Sequence, residues 1–177
     1  LGFKLCALLT ARHARPRSDE YLCGDDTEKD AHAFVLYARA LDGSLSSAEL
    51  ESELRRHEVD ARTRRCAHRL LAALPSEHGR VRRAYIHLAQ HSSPAPIAAI
   101  GHEITPVRHA GELALALWQD EQLRPEATLR AFEAALVGSS SETRRAVVNE
   151  ALERGLITPE KLAKIAPRLL PDRANSD

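Results

Sequence analysis

Asp25, Asp26, Glu28 and Asp30 crowd into six consecutive positions, directly behind the run Tyr21-Leu22-Cys23-Gly24. Carboxylates this close repel one another, and each raises the pKa of its neighbours unless a positive charge lies between them. A hydrated divalent cation meets that need, and Mg²⁺ is typically held by one or two carboxylates together with waters and phosphate oxygens. The chemistry suggested is cation-assisted handling of a phosphoryl group. The plainer alternative is a helix start, where Asp, Thr and Glu are favoured by capping and by the positive end of the helix dipole.

The elements around this turn can be read from periodicity. Residues 2–13 carry Leu5, Leu8 and Leu9 on one helical face. Arg15-Pro16-Arg17-Ser18-Asp19 is a turn, because proline ends the helix and biases its predecessor to extended backbone. Residues 21–23 read as a short strand ending at Gly24, and residues 28–41 as an apolar helix with Phe34, Leu36, Tyr37 and Leu41. The strand's C-terminal end is where open α/β sheets place their ligands.

Beyond Asp42-Gly43, Ser46 or Ser47 can cap a helix over 47–57, and a further helix spans 60–74 before Pro75. Together they form a helical hairpin over 44–75. Residues 82–88 read as a second strand, residues 92–96 as a loop, and Ile104-Thr105-Pro106-Val107 as a short edge strand. Helices are expected at 109–120, 125–137, 142–154 and 159–170, with Gly138-Ser139-Ser140-Ser141 as a linker. Two strands separated by mostly helical sequence suggest parallel neighbours joined by a long crossover. The competing reading is an all-α chain in which both strand assignments fail.

One basic residue stands out. Only four of the 25 basic residues are lysines, and Lys4 is the sole one before Lys29. It lies at the start of the helix preceding the acidic strand. Lysine offers a compact ammonium, which neutralises a phosphate or an aspartate at one point as arginine does not.

Lys4 at a helix start, followed by an apolar strand and Gly-Asp-x-x-x-x-Asp at residues 24–30, resembles the third and fourth motifs of the haloacid dehalogenase-like (HAD) hydrolases. With Tyr85-Ile86-His87-Leu88, the wording is most similar to the bacterial branch near phosphatidate phosphatase-like proteins. The resemblance covers residues 1–41 closely and 80–120 loosely. It implies a partial HAD-like (Rossmannoid) α/β fold, with a parallel sheet, a helical-hairpin crossover and a helical C-terminal extension. Residues 1–120 would be the C-terminal half of the HAD-like domain and 121–177 the extension.

Lys4 would then be the catalytic, phosphate-pairing residue. Asp25 and Asp30 would serve Mg²⁺, with Asp26 as a substitute second acid. The partner would be a phosphorylated substrate, either a phosphomonoester or a lipid phosphate. The family's nucleophile belongs to an Asp-x-Asp signature, which becomes an aspartyl-phosphate during turnover; no Asp-x-Asp occurs in this sequence. The chain also lacks methionine and opens inside a helix pattern, so the expectation is a C-terminal part of a longer protein, inactive alone. The rival from another class is a non-catalytic α-helical interaction or scaffold module.

Other features carry weaker chemistry. His87 and His91, with His102, Glu103 and His109 nearby in sequence, offer a zinc alternative, although Pro94 and Pro96 interrupt the segment and no HExxH occurs. The arginines at 62–69 and 80–83 read as solvated faces balanced by acids, and no aromatic interleaving suggests nucleic-acid binding. Cys6, Cys23 and Cys66 are widely spaced, which argues against a disulfide framework and for a cytoplasmic location. The net charge is +0, and no apolar run approaches the ~20 residues of a membrane span.

Overall fold

The computed structural model describes residues 1–89 and 91–170 of the chain. They form a mixed α/β structure that divides into two compact units, Leu1–Pro106 and Val107–Asp177.

In the first unit, α1 (Gly2–Ala14) leads through the Pro16 turn into β1 (Glu20–Asp25), which runs one residue beyond Gly24. Residues 26–29 are a turn, and α2 begins at Asp30 and continues to Leu41. The expected start at residue 28 is therefore two residues early. Lys29 adopts left-handed backbone (φ 62°) at the helix N-cap, and that turns the chain before the helix can begin.

Ser46 opens α3 (Ser47–Arg56) through a capping box with Glu49, and Asp60 caps α4 (Ala61–Ala72) by accepting from the amides of Arg62 and Thr63. The two helices form the expected hairpin. Ser47 Oγ meets His68 Nδ1 at 3.2 Å, and Glu51 reaches Arg64 Nε at 3.0 Å and His68 Nε2 at 3.2 Å. These pairings advance along one helix while retreating along the other, so the helices are antiparallel.

β2 (Val81–His87) pairs with β1 in parallel, Leu22 opposite Ala84, Cys23 opposite Tyr85 and Asp25 opposite His87. That pairing removes the all-α alternative. β3 (Ile104–Val107) completes a three-stranded sheet in the order β1-β2-β3. Between β2 and β3, the expected loop at 92–96 is in part a short helix, α5 (Pro94–Ala98), because Pro94 supplies a preset φ at its first turn.

Apolar periodicity explains the core. Leu5 and Leu9 of α1, Leu36 and Tyr37 of α2, and Leu50 and Leu54 of α3 are buried in one cluster. Ala31 and Phe34 of α2 join Ala84, Ile86, Leu88 and Ile104 in a second. Helix α2 thus buries two faces, consistent with its nearly continuous apolar sequence.

The second unit holds α6 (Ala110–Gln119), α7 (Pro125–Ala135), α8 (Ser141–Glu153), α9 (Pro159–Ala163) and α10 (Ala166–Leu169). Gly111 lets α6 approach α7 closely: a Cβ there would lie 3.2 Å from the Phe132 ring. Glu112, fully buried, accepts from the Arg108 amide at 2.7 Å and pairs with Arg154 Nη1 at 3.1 Å. Lys161 Nζ donates to the carbonyls of Trp118 (3.2 Å) and Gln119 (2.8 Å), where a cation complements the C-terminal dipole of α6. These ties join α6 to the helices that follow it, so the expected boundary at 120/121 falls inside this unit. The expected single helix over 159–170 is broken near Ile165, since Pro167 cannot continue one.

Candidate functional site

The carboxyl end of β1 gathers the charged residues singled out above. Asp30, only 8% exposed, lies in the first turn of α2 yet caps nothing there. Its carboxylate turns back toward the strand instead: Oδ2 accepts from the Asp25 amide at 3.1 Å, and Oδ1 receives a hydrogen bond from Lys4 Nζ. Helix-start chemistry does not account for that orientation.

Gly24 makes the arrangement possible. A Cβ at this position would sit 2.4 Å from Asp30 Oδ2 and 2.7 Å from Asp30 Cβ, closer than non-bonded atoms come. The glycine is therefore a cradle for the Asp30 side chain.

Lys4 comes from the first turn of α1. Its ammonium touches both Asp30 and Glu28, the latter at 2.9 Å. Those two hydrogen-bonded carboxylates, Asp30 first, hold the lysine pKa above its ordinary value. Lys4 thus partners Asp30 directly and not Asp25. Asp25 is one link away, because the same Asp30 carboxylate that binds Lys4 holds the Asp25 amide.

Asp25 itself is partly exposed. Thr27 donates to its Oδ1 from both Oγ1 (2.6 Å) and the backbone amide (2.9 Å). These bonds favour the charged form and lower the carboxyl pKa, with a smaller contribution from Lys4. Asp25 is thus an anion held in a fixed orientation. Asp26 has a tying role: its Oδ1 accepts from the Ala89 amide at 3.0 Å, and its own amide donates to the His87 carbonyl at 3.2 Å. The turn is thereby pinned to the end of β2.

Two residues without an assigned role belong to this corner. Glu28 completes the clamp on Lys4, a role that could have been inferred from its place in the acidic run. His87, considered only for zinc, stands opposite Asp25 in the strand register, exposed at the carboxyl end of β2. Pairing the two strand patterns residue by residue would have revealed it.

Among the described residues, no group of three or more His, Cys, Asp or Glu is placed to hold a metal ion. Neither the His87 and His91 segment expected for zinc nor the trio Asp25, Asp26 and Asp30 expected for Mg²⁺ forms such a group there. A second polar cluster lies elsewhere: His32 and His57 meet edge to face with ring centroids 5.1 Å apart, beside Glu53 and Arg56, in a cavity of about 230 Å³. Among the described residues, no helix is long and apolar enough to cross a membrane.

No family model matches the chain, and neither a characterised protein nor a solved structure does.

Proposed function

We propose that residues 1–106 supply the phosphate-pairing and cation-binding corner of a HAD-like, Mg²⁺-dependent phosphatase acting on a phosphomonoester or lipid phosphate. The observation that carries this reading is the Lys4–Asp30 pair. It joins the start of α1 to the acidic turn at the carboxyl end of parallel strands, with Gly24 as its cradle. Lys4 of α1, Gly24 and the Asp25 amide of β1, and Asp30 of α2 lie together there, and that closeness is what supports the reading.

The donor set suits a water-rich ion and not one caged by protein. Asp25 is ionised and oriented by Thr27 through Oδ1, so Oδ2 is the atom through which it would reach a cation. Both oxygens of Asp30 are engaged, by Lys4 and by the Asp25 amide. Asp30 therefore acts by aiming the lysine and the Asp25 backbone, while Asp26 keeps one oxygen beyond its bond to Ala89. Mg²⁺, held here by one or two carboxylates plus waters, would shield phosphoryl charge. Lys4 would place its ammonium on a phosphate oxygen, a stabilisation that strengthens as charge develops there. The covalent step needs a nucleophile, and no Asp-x-Asp in this sequence offers one.

Titration with Mg²⁺ and then inorganic phosphate, followed by amide NMR, tests the proposal. Shifts should centre on Asp25 and Asp26, Asp25→Asn should remove the Mg²⁺ response, and Lys4→Ala should weaken phosphate about tenfold or more, the scale of one lost charge-assisted contact. Phosphomonoester turnover by this polypeptide alone would contradict its being only part of a site.

A second reading, a non-catalytic interaction module, draws on one observation. Lys4 is already neutralised by Asp30 and Glu28 without any cation. Absence of both Mg²⁺ and phosphate responses would favour it.

A further inference from the structure

Helices α1 and α4 lie side by side along a seam built for close approach. A Cβ on Gly2 would come within 2.4 Å of Val59 Cγ1 and 2.8 Å of Thr63 Cγ2. One turn further along α1, Cys6 Sγ donates to the Thr63 carbonyl at 3.7 Å, and near the end His13 Nε2 meets the Leu70 carbonyl at 3.0 Å. Contacts that advance together on both helices mean that the helices run parallel. On α4, the residue one turn after Thr63 on this face is Cys66. Cys6, seated on the Thr63 carbonyl, therefore faces the turn of α4 that carries Cys66, though 59 residues separate the two in the chain.

We propose that Cys6 and Cys66 form a thiol–disulfide site that closes under a small disulfide oxidant such as glutathione disulfide, locking α1 to α4. Both thiols are free and partly exposed. Their seating on facing turns of two packed, parallel helices is the placement a disulfide between them requires.

The two sulfurs have different parts. Burial, followed by the neighbouring Cys66, pushes the Cys6 thiol up to about 11 from 9.0, which leaves it roughly a hundredfold less thiolate than an unperturbed cysteine. Arg69 donates to Cys66 Sγ at 3.8 Å. Cys66 therefore attacks first. Its thiolate displaces one glutathione thiolate from the oxidant and forms a mixed disulfide. Cys6 gives up its proton to solvent and attacks the Cys66 sulfur, releasing the second glutathione thiolate. Two cysteine thiols are oxidised, one glutathione disulfide is reduced to two glutathiones, and the two cysteine protons end on the departing glutathione thiolates. This chemistry is independent of the hydrolase reading.

The test treats the whole native chain with glutathione disulfide, blocks residual thiols, and reads intact mass and peptides without reduction. The expected product is lighter by two hydrogens and joins the Cys6 and Cys66 peptides, while Cys23 stays outside the link. In Cys6→Ser the reaction should stop at one glutathionyl group on Cys66; in Cys66→Ser, Cys6 should stay a free thiol. The proposal is overturned if native protein keeps Cys6 and Cys66 alkylatable while exposed Cys23 is modified, or if the link forms only in denaturant. The wild-type arm needs no variant, so it decides even if a serine substitution fails to fold.

Discussion

Asp30 occupies the space that a side chain at Gly24 would need: its Oδ2 lies 2.4 Å from where a Cβ would be. The two residues are parts of one device, in which an absent side chain on the strand admits a carboxylate from the helix. Asp30 can then hold Lys4 and the Asp25 amide together.

Gly24→Ala should accordingly displace Asp30, which cannot retreat because its own Cβ is among the clashing atoms. Overpacking of this kind costs about 1–3 kcal/mol. Chemical denaturation measures it, and in an Asp30→Gly background the penalty should shrink. An equal penalty in both backgrounds would mean that the glycine is required for another reason.

Arg12 is completely buried on α1. Its Nη2 lies 2.8 Å from Glu20 Oε2, its Nε donates to Tyr37 Oη at 3.0 Å, and it holds the carbonyls of Pro16 and Ser18. Burial and the Glu20 carboxylate push the Tyr37 hydroxyl well above the usual tyrosine range, so it stays a donor to Glu20 at 2.7 Å. Arg12→Ala strands the Glu20 charge, and breaking a buried pair from one side costs about 3–5 kcal/mol. An urea-unfolding midpoint that barely moves would show that the turn, not the arginine, anchors this end of α1.

Burial lowers the pKa of His32, as it does that of His57, and Lys29 adds to the effect on both. For His57 the neighbouring His32 lowers it further, while Glu53 opposes the shift in each. A folded pKa below the unfolded 6.5 means that the unfolded chain takes up protons first as pH falls. Stability from this pair is complete above that value and is lost as pH drops through it toward the folded pKa. Denaturation midpoints followed from about pH 8 to about pH 5 should fall, and His57→Gln should flatten the decline. An unchanged slope in the variant would assign the decline to other groups.

Glu112 and Arg154 make the corresponding test in the second unit. Arg154→Ala leaves the fully buried Glu112 carboxylate with the Arg108 amide and without this guanidinium. A loss of about 3–5 kcal/mol is expected. Replacing Glu112 and Arg154 together by apolar residues of similar volume should recover part of it. Thermal melting of the single and double variants checks the order.

The elements whose pattern is local were legible without coordinates. Helix α1 follows from its leucine spacing, α3 from the Ser46 and Glu49 box, and the strands from short apolar runs bounded by turn residues. The lapses share a cause. The start of α2 is set by a left-handed Lys29, and the break after Ala163 by one proline in an otherwise helical pattern. α6 joins the second unit through the buried Glu112–Arg154 pair. Each is a decision taken by backbone dihedrals or distant partners, to which hydrophobic periodicity is blind.

The same division runs through the candidate site. Residue type and spacing alone singled out Lys4, Gly24, Asp25, Asp26 and Asp30, because a rare lysine and crowded carboxylates are already a statement about charge. Only the tertiary structure chose Asp30 over Asp25 as the partner of Lys4, drew in Glu28, set His87 opposite Asp25 and brought Cys6 to Cys66. Those pairings depend on the register of β1 against β2 and on the seating of α1 against α4. Register is decided by burial summed over whole elements, which no local stretch of sequence contains.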